Sequence, residues 1–204
     1  MILFISDLHL SPRSPGATAL FLRFLAGRAR QAEALYILGD LFEVWVGDDI
    51  DDAYHTAIIS ALRAASDAGL KIHLMHGNRD FALGERFAAA AGARLLPDPF
   101  DLVLPEWSFV LSHGDALCLD DPDYTAYRAK VRNPAWLQKM LARPRFFRRQ
   151  LGRYIRWRSR RRKRDHNLVY TDLQPAATDD FIRDHGYATF IHGHTHRAAT
   201  HDHM

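Results

Sequence analysis

Cysteine is nearly absent from this chain. Its single representative, Cys118, excludes an intramolecular disulfide framework and any thiolate-based zinc cage. Long apolar runs are missing too: none approaches the roughly 18–20 residues that a membrane-spanning helix needs. The N-terminal stretch Met1-Ile2-Leu3-Phe4-Ile5-Ser6-Asp7 has no basic n-region and meets an acid at once, which is unlike a secretory signal. A cytosolic chain is the expectation. Acidic residues are wholly lacking from one segment. From Arg143 to Arg164 there are eleven arginines and one lysine, with no Asp or Glu. The rest of the chain is therefore left with more acids than bases, although the formal net charge is only +3. An acidic body carrying a cationic segment attracts phosphates, nucleic acid or an anionic membrane surface.

At 204 residues the chain is long enough to bury a core without staples. Short apolar runs at Met1–Ser6, Ala34–Leu38 and Leu70–Met75 read as buried strands. They alternate with helical patterns at Ala17–Arg28 (Leu20, Phe21, Phe24, Leu25) and Asp52–Ala68 (Ile58, Ile59, Leu62), the second closed by Gly69. This rhythm predicts an α/β fold with parallel strands and covering helices. A helix at Arg86–Ala91 ends at Gly92, and short strands follow at Arg94–Leu96, Asp101–Leu104, Trp107–Ser112 and Ala188–His192. Between Asp120 and Asp172 the strand pattern stops. Asp121-Pro122 and Asn133-Pro134 each pair an N-cap residue with proline, and Pro144 starts a third helix. In that helix Phe147, Leu151 and Ile155 recur at a spacing of four, with arginines on the other faces. The segment reads as a basic, amphipathic helical insertion.

Histidine, with 12 copies, is abundant, and it falls with Asp and Asn at strand ends. Asp7-Leu8-His9 follows the first strand, Gly39-Asp40 the second and Gly77-Asn78-Arg79-Asp80 the third. His113-Gly114-Asp115 follows Phe109–Ser112, and Gly193-His194-Thr195-His196 follows the last strand. Ligands of open α/β sheets bind beyond the carboxyl ends of strands, so these groups converge. Strand capping alone accounts for one such motif more readily than for five. Imidazole mixed with carboxylate suits Mn²⁺, Fe²⁺ or Zn²⁺ better than Ca²⁺ or Mg²⁺ alone. Such a set can hold two metals about 3.5–4 Å apart, as in two-metal hydrolases.

Over nearly the whole α/β part these motifs resemble the calcineurin-like metallophosphoesterases, whose pattern is D-x-H, G-D, G-N-H-[DE], H and G-H-x-H. The resemblance implies two packed β-sheets flanked by helices. It implies that Asp7, His9, Asp40 and His196 hold one divalent metal, and that Asp40, Asn78, His113 and His194 hold the other, with Asp40 bridging. Asp40, Asn78, Arg79, His113 and His194 are then the catalytic set. One departure is informative: Arg79 stands where the family usually has His. That His is assigned to protonating an alkoxide leaving group, and arginine cannot donate a proton near neutrality. It can neutralise charge on a phosphate leaving group, so Arg79 points to cleavage of a diphosphate.

The G-N-R-D variant, Ser112–Asp121 and Leu41-Phe42-Glu43-Val44-Trp45 resemble one branch of the family. Its members split UDP-2,3-diacylglucosamine into UMP and 2,3-diacylglucosamine 1-phosphate in lipid A biosynthesis. They act at the cytosolic face of the bacterial inner membrane, usually with Mn²⁺. The resemblance implies one domain with a helical lid at about 122–170, peripheral membrane association and a monomer. It implies substrate contacts at Asn78, Arg79, Asp121, Ser159, Lys163 and His194. His166 stands where a Lys is usual. Trp136, Met140, Phe146, Phe147, Leu151, Tyr154 and Trp157 can line an acyl chamber, while Arg and Lys pair with phosphates. The branch continues with further strands after His196, where this chain reaches Met204 eight residues later.

Two other readings compete. A nuclease or nucleotide phosphodiesterase of the same fold would run a nucleic-acid backbone along Arg143–Arg164. The aromatics there sit among aliphatics at helical spacing, which suits acyl chains better than stacked bases, and no nucleic acid is expected. A non-catalytic scaffold would have lost ligand positions, and none is lost. Cys118 and the histidines at 55, 73, 76, 185 and 192 are expected to serve packing rather than chemistry.

Overall fold

The computed structural model describes residues 1–49, 52–163 and 172–202. Four parallel strands form the first sheet in the order β1 (Ile2–Ile5), β2 (Ala34–Leu38), β3 (Lys71–Met75), β4 (Ala93–Leu96). The second sheet has β5 (Phe100–Val103) antiparallel to β6 (Ser108–Ser112), and β7 (Thr189–His192) parallel to β6. Helices α1 (Pro15–Ala26), α2 (Ala53–Asp67) and α3 (Glu85–Ala91) make the crossovers of the first sheet. The expected two-sheet α/β architecture with flanking helices is what the chain adopts.

Strand β2 shows why two layers are needed, because it is buried along its whole length. Side chains alternate across a strand. Leu35 and Ile37 therefore point into one core with Phe21 and Leu25 of α1, Ile58 and Leu62 of α2, and Phe87 of α3. Ala34, Tyr36 and Leu38 point the other way, into a second core shared with Met75, Leu96, Leu102 and Leu111. That second core is the seam between the sheets. Leu20, grouped with the apolar face of α1 by its spacing, is instead exposed.

The sequence boundaries hold to within one or two residues, and the caps act as their chemistry requires. The Asp52 carboxylate accepts from the His55 N–H, and Asp121 and Asn133 do the same for Tyr124 and Trp136. These last two start α4 (Pro122–Val131) and α5 (Pro134–Leu141), and α6 (Arg145–Lys163) follows. An additional helix, α7 (Pro175–Asp184), leads into β7 and has no counterpart in the sequence reading. Its N-cap, Gln174, makes no side-chain bond, and only Thr178 and Ile182 are buried. Pro175 opens it, but no capping side chain precedes the proline and the buried face is two residues long.

Because β1, β2 and β3 run parallel, their carboxyl ends share one edge, and β6 and β7 bring theirs to the same side. Asp80, fully buried, ties this edge together. Its carboxylate accepts the Gly77 N–H at 2.8 Å, the Asp40 N–H at 3.2 Å and the Phe42 N–H at 3.3 Å. Asp80→Ala should strand these donors. At about 1–3 kcal/mol for each unsatisfied buried group, a loss of roughly 3 kcal/mol or more is expected in urea unfolding. A loss below about 1 kcal/mol would show that water replaces the carboxylate at no cost.

Candidate metal centre

The candidate ligand residues sit on sharp strand-to-loop turns, and the backbone there is unusual. Asp7, His9, Asp40, His194 and His196 all adopt positive φ, between 47° and 71°. Non-glycine residues seldom do so, and Asp and His are among those that tolerate it. The loops are cross-tied by backbone bonds: Asp7 N–H to Gly39 O at 3.1 Å, His9 N–H to Asp40 O at 2.9 Å, and Gly193 N–H to His113 O at 3.2 Å.

Each carboxylate spends one oxygen on the backbone. Asp7 Oδ2 accepts the His194 N–H at 2.8 Å, and Asp40 Oδ1 accepts the Arg79 N–H at 2.8 Å. The other oxygens, and Asp40 Oδ1 as well, face imidazoles. Asp7 Oδ1 is buried without a hydrogen-bond partner and lies 3.4 Å from His196 Nε2 and 3.9 Å from His9 Nε2. Asp40 Oδ2 lies 3.7 Å from His9 Nε2, and Asp40 Oδ1 lies 3.9 Å from His113 Nε2. Two groups with donor atoms this close emerge: Asp7, His9 and His196; and Asp7, Asp40 and His113.

The donor chemistry fits divalent cations. His113 Nδ1 lies 2.9 Å from Leu38 O, an acceptor only, so Nδ1 carries the proton. Its Nε2, the ring nitrogen left to meet a cation, lies 3.2 Å from Asn78 Oδ1. His9 Nε2 and His196 Nε2 meet at 3.0 Å, close enough for both to face one ion. Nitrogen and oxygen donors gathered in this way suit a divalent cation, and a bond such as that from Nδ1 to Leu38 O fixes the orientation of an imidazole that could ligate one. The ring of His194 packs 5.1 Å from that of His113 and 5.5 Å from Tyr124.

Burial governs the charges. It pushes the Asp40 carboxyl up to about 6 and the His194 imidazole down to about 4, the latter helped by the neighbouring His113. It also pushes the Asp7 carboxyl up, but the closeness of the His196 ring and of His113, together with the His194 N–H, outweighs it, and Asp7 lies below the ordinary carboxylate range. In His113 the downward push of burial is overcome by Asp40, Asp115 and Asp7. Burial raises the Cys118 thiol to about 12, which leaves it inert as expected.

Of the remaining sequence candidates, Arg79 places Nη2 3.3 Å from Ser159 Oγ of α6. Asn78, Arg79, Asp121, Ser159 and His194 all line one cavity of about 710 Å³. Lys163 ends α6, and His166 lies outside the described residues. The proposed acyl-lining set divides: Trp136, Met140, Leu151 and Tyr154 line the cavity, joined by Val44, Trp45, Val46, Phe81 and Ile155. Phe146, Phe147 and Trp157 do not; they are 73%, 49% and 52% exposed, because a helix with one face on the body must turn others outward. His76, His55 and His185 take packing or capping partners in Leu83 O, Asp52 and Asp101, and His73 stacks on Tyr36.

The sequence reading missed the supports around the site. Arg132, the residue that caps α4, reaches the carbonyls of His76 and Gly77 at 3.1 and 3.4 Å. Asp115, buried, sits 3.0 Å from Arg128 Nε and accepts the Tyr124 hydroxyl at 3.1 Å. The H-G-D motif held the signal for Asp115; nothing in the local sequence marks Arg132.

The tightest spot is Gly77. A methyl there would collide with Asp40 Oδ1 and with its backbone nitrogen, and one on Gly39 would lie 2.7 Å from Gly77 Cα. Gly77→Ala should therefore part the second and third loops. Retained manganese after gel filtration, read by mass spectrometry, is expected to fall below about a tenth of wild type, with about 1–3 kcal/mol of stability lost to overpacking. Full metal retention would show that the loops separate without harming the centre.

Comparison with known proteins agrees with this geometry. Residues 1–198 match the family described as Calcineurin-like phosphoesterase. The chain is similar to the UDP-2,3-diacylglucosamine hydrolase of Escherichia coli O81 (strain ED1a), at 47% identity over 201 residues, 98% of this chain and 83% of that protein. The proteins of the same name from Klebsiella pneumoniae and from Escherichia coli strain K12 / DH10B show the same identity and coverage. With Asp and His side chains of four strand-end loops within donor distance of one another, and with a family match over almost its whole length, the chain belongs to the calcineurin-like phosphoesterases.

Proposed function

We propose that this protein is a two-metal hydrolase that cleaves the diphosphate of UDP-2,3-diacylglucosamine, giving UMP and 2,3-diacylglucosamine 1-phosphate. The relatives' activity supports the reading. The observation that carries it is the cavity: Asn78, Arg79 and His194 share one lining with the apolar side chains of Trp45, Met140 and Leu151. A substrate with an anionic diphosphate joined to acyl chains needs that combination.

Asp7, His9, Asp40 and His196 would hold one cation and Asp40, Asn78, His113 and His194 the other, with manganese the best match to the donor set. When bound, the metals supply Lewis acidity toward the phosphoryl oxygens and activate water for attack on phosphorus. The chain's own residues orient the bond. Asp40 is anchored by the Arg79 N–H, so its carboxylate cannot swing. The Arg79 guanidinium, steadied on Ser159, neutralises charge that develops on the leaving phosphate. Asp121, Ser159, Lys163 and His166 are assigned to substrate contact, and α4 to α6, within about 122–170, form a lid over the cavity. The wall of α4, α5 and α6 excludes water from the reacting bond.

Among the described residues no helix is long and apolar enough to cross a membrane. The exposed Phe146, Phe147 and Trp157, with Arg143 over the Phe147 ring and Arg161 over the Trp157 ring, favour peripheral docking on an anionic leaflet. We assign the protein to the cytosolic face of the inner membrane, as a monomer. The nucleic-acid reading is less favoured. Arg148 and Arg156 turn inward to Asp49 and Glu43, and Arg145 and Arg149 lie against the Asp49 carbonyl and Asp52, so a third of the twelve cations in the run are engaged within the fold.

The direct test incubates the protein with UDP-2,3-diacylglucosamine, Mn²⁺ and detergent and resolves the released nucleotide. UMP is the expected product; UDP, or no nucleotide, would overturn the assignment. Asp40→Ala should abolish turnover in a folded protein, and activity within about tenfold of wild type, or about 1.4 kcal/mol in the barrier, would remove Asp40 from its bridging role. For Arg79→His, kcat/KM on the diphosphate should fall by about a hundred- to a thousandfold, since a positioned charge becomes a mostly neutral ring at pH 7.5. The same variant is expected to keep or gain rate on an aryl phosphodiester, whose more basic leaving group profits from a proton donor. Equal diphosphate cleavage by both proteins would show that Arg79 does not select the bond.

A further inference from the structure

Glu43 is a chemistry-bearing residue to which neither the metal-ligand motifs nor the mechanism above gives a role. It lies just beyond the Gly39-Asp40 turn, and its N–H bonds to Leu10 O at 3.1 Å, so its backbone is clamped beside the His9 loop. Its two carboxylate oxygens face different partners. Oε2 lies 3.3 Å from Nδ1 of His9, the ring nitrogen turned away from Asp7, Asp40 and His196. That nitrogen is buried and makes no hydrogen bond, so the carboxylate faces it as a charge contact rather than through a formed bond. Oε1 is ion-paired with the guanidinium of Arg156 in α6. Arg156 Nη1 also donates to the Glu43 carbonyl at 2.9 Å, so the arginine grips both ends of this residue. One helical turn further along α6, Ser159 meets Arg79.

We infer that Glu43 is a positioning residue that couples helix α6 to the metal centre: one oxygen orients His9 as a metal ligand while the other is held by Arg156. The inference rests on the metal centre proposed above. An imidazole ligates through a lone pair, and the proton it must keep sits on the opposite nitrogen. A carboxylate at His9 Nδ1 selects the tautomer that leaves Nε2 free, and such outer-shell partners carry a large share of metal affinity. Arg156 fixes which way that carboxylate points. When α6 is seated, His9 is set; when α6 leaves, Glu43 loses its grip and His9 its orientation. By linkage, metal binding in turn favours the seated helix. The carboxylate is thus the mechanical joint between covering the cavity and arming the site.

The test uses the full chain and manganese alone, without substrate, by calorimetric titration of metal-stripped protein. Glu43→Ala is expected to weaken Mn²⁺ binding by about 10–100-fold at the tighter or the weaker of its two steps. Arg156→Ala should weaken it by less, and the double variant should be no weaker than Glu43→Ala, because both act through one carboxylate. Hydrogen exchange adds a second readout: Mn²⁺ should slow exchange of the 145–163 amides in wild type and not in Glu43→Ala. Glu43→Ala binding within threefold of wild type overturns the inference, as do additive losses in the double variant. If Glu43→Ala fails to fold, Glu43→Gln keeps the shape and an acceptor but not the charge; its affinity should fall several-fold, and wild-type affinity overturns the inference equally. Wild-type protein that takes up no Mn²⁺ overturns the metal-centre reading and this one with it, whereas a binding wild type beside an unaltered variant overturns this one alone.

Discussion

Asp40 is a carboxylate enclosed between two backbone loops, and the distance between those loops governs what surrounds it. Gly77 lets the third loop come against Asp40 so closely that no side chain fits between them. The buried Asp80 then holds both loops through backbone donors. Once that contact is made, the Arg79 N–H reaches Asp40, Asn78 reaches His113, and the two sheets bring their ligands within donor distance. Enclosure has an electrostatic cost, because desolvation works against the charged form of a carboxylate. A cation offsets that cost, so the same packing that makes the site expensive when empty makes it selective for positive charge.

The helical segment solves a different problem. A run of arginines on a mostly acidic body would be self-repelling if left in water. Here α6 lies against the loop after β2, where Glu43, Asp49 and Asp52 receive Arg156, Arg148 and Arg149. The attachment to the body is thus largely ionic, whereas the interior face of α5 and α6 joins the main core through Met140, Trp136 and Leu151. Strong charge pairing with a limited apolar footing suits an element that must admit a large amphiphile.

Much of this was legible in the sequence. The parallel strands announced themselves as short apolar runs, and five ligand motifs followed them in order, so Asp7, His9, Asp40, His113, His194 and His196 could be named before any fold was drawn. The proline-led starts of α4 and α5 were equally plain. What the sequence withheld was long-range. Asp80 and Asp115 sat inside recognised motifs with no role attached, since their partners are backbone groups or residues of another helix. Arg132 and Glu43 act across gaps that no local pattern encodes. The exposure of Phe146, Phe147 and Trp157 also escaped the reading, because periodicity marks an apolar face but cannot say whether protein or another surface covers it.

The left-handed backbone at Asp7, His9, Asp40, His194 and His196 bears on how such a centre can change over evolutionary time. A position in that conformation accepts Gly, Asn, Asp or His with modest strain and rejects β-branched side chains. Drift at these positions is therefore funnelled. Substitutions that the backbone tolerates are chiefly those that still offer an oxygen or nitrogen donor, so the metal preference of the site can be retuned by one exchange while the turn survives. Loss of the donor altogether must pass through glycine or through a residue the turn resists. The turns act as a filter on mutation, and they keep a metal-binding vocabulary at these positions even where selection on catalysis is relaxed.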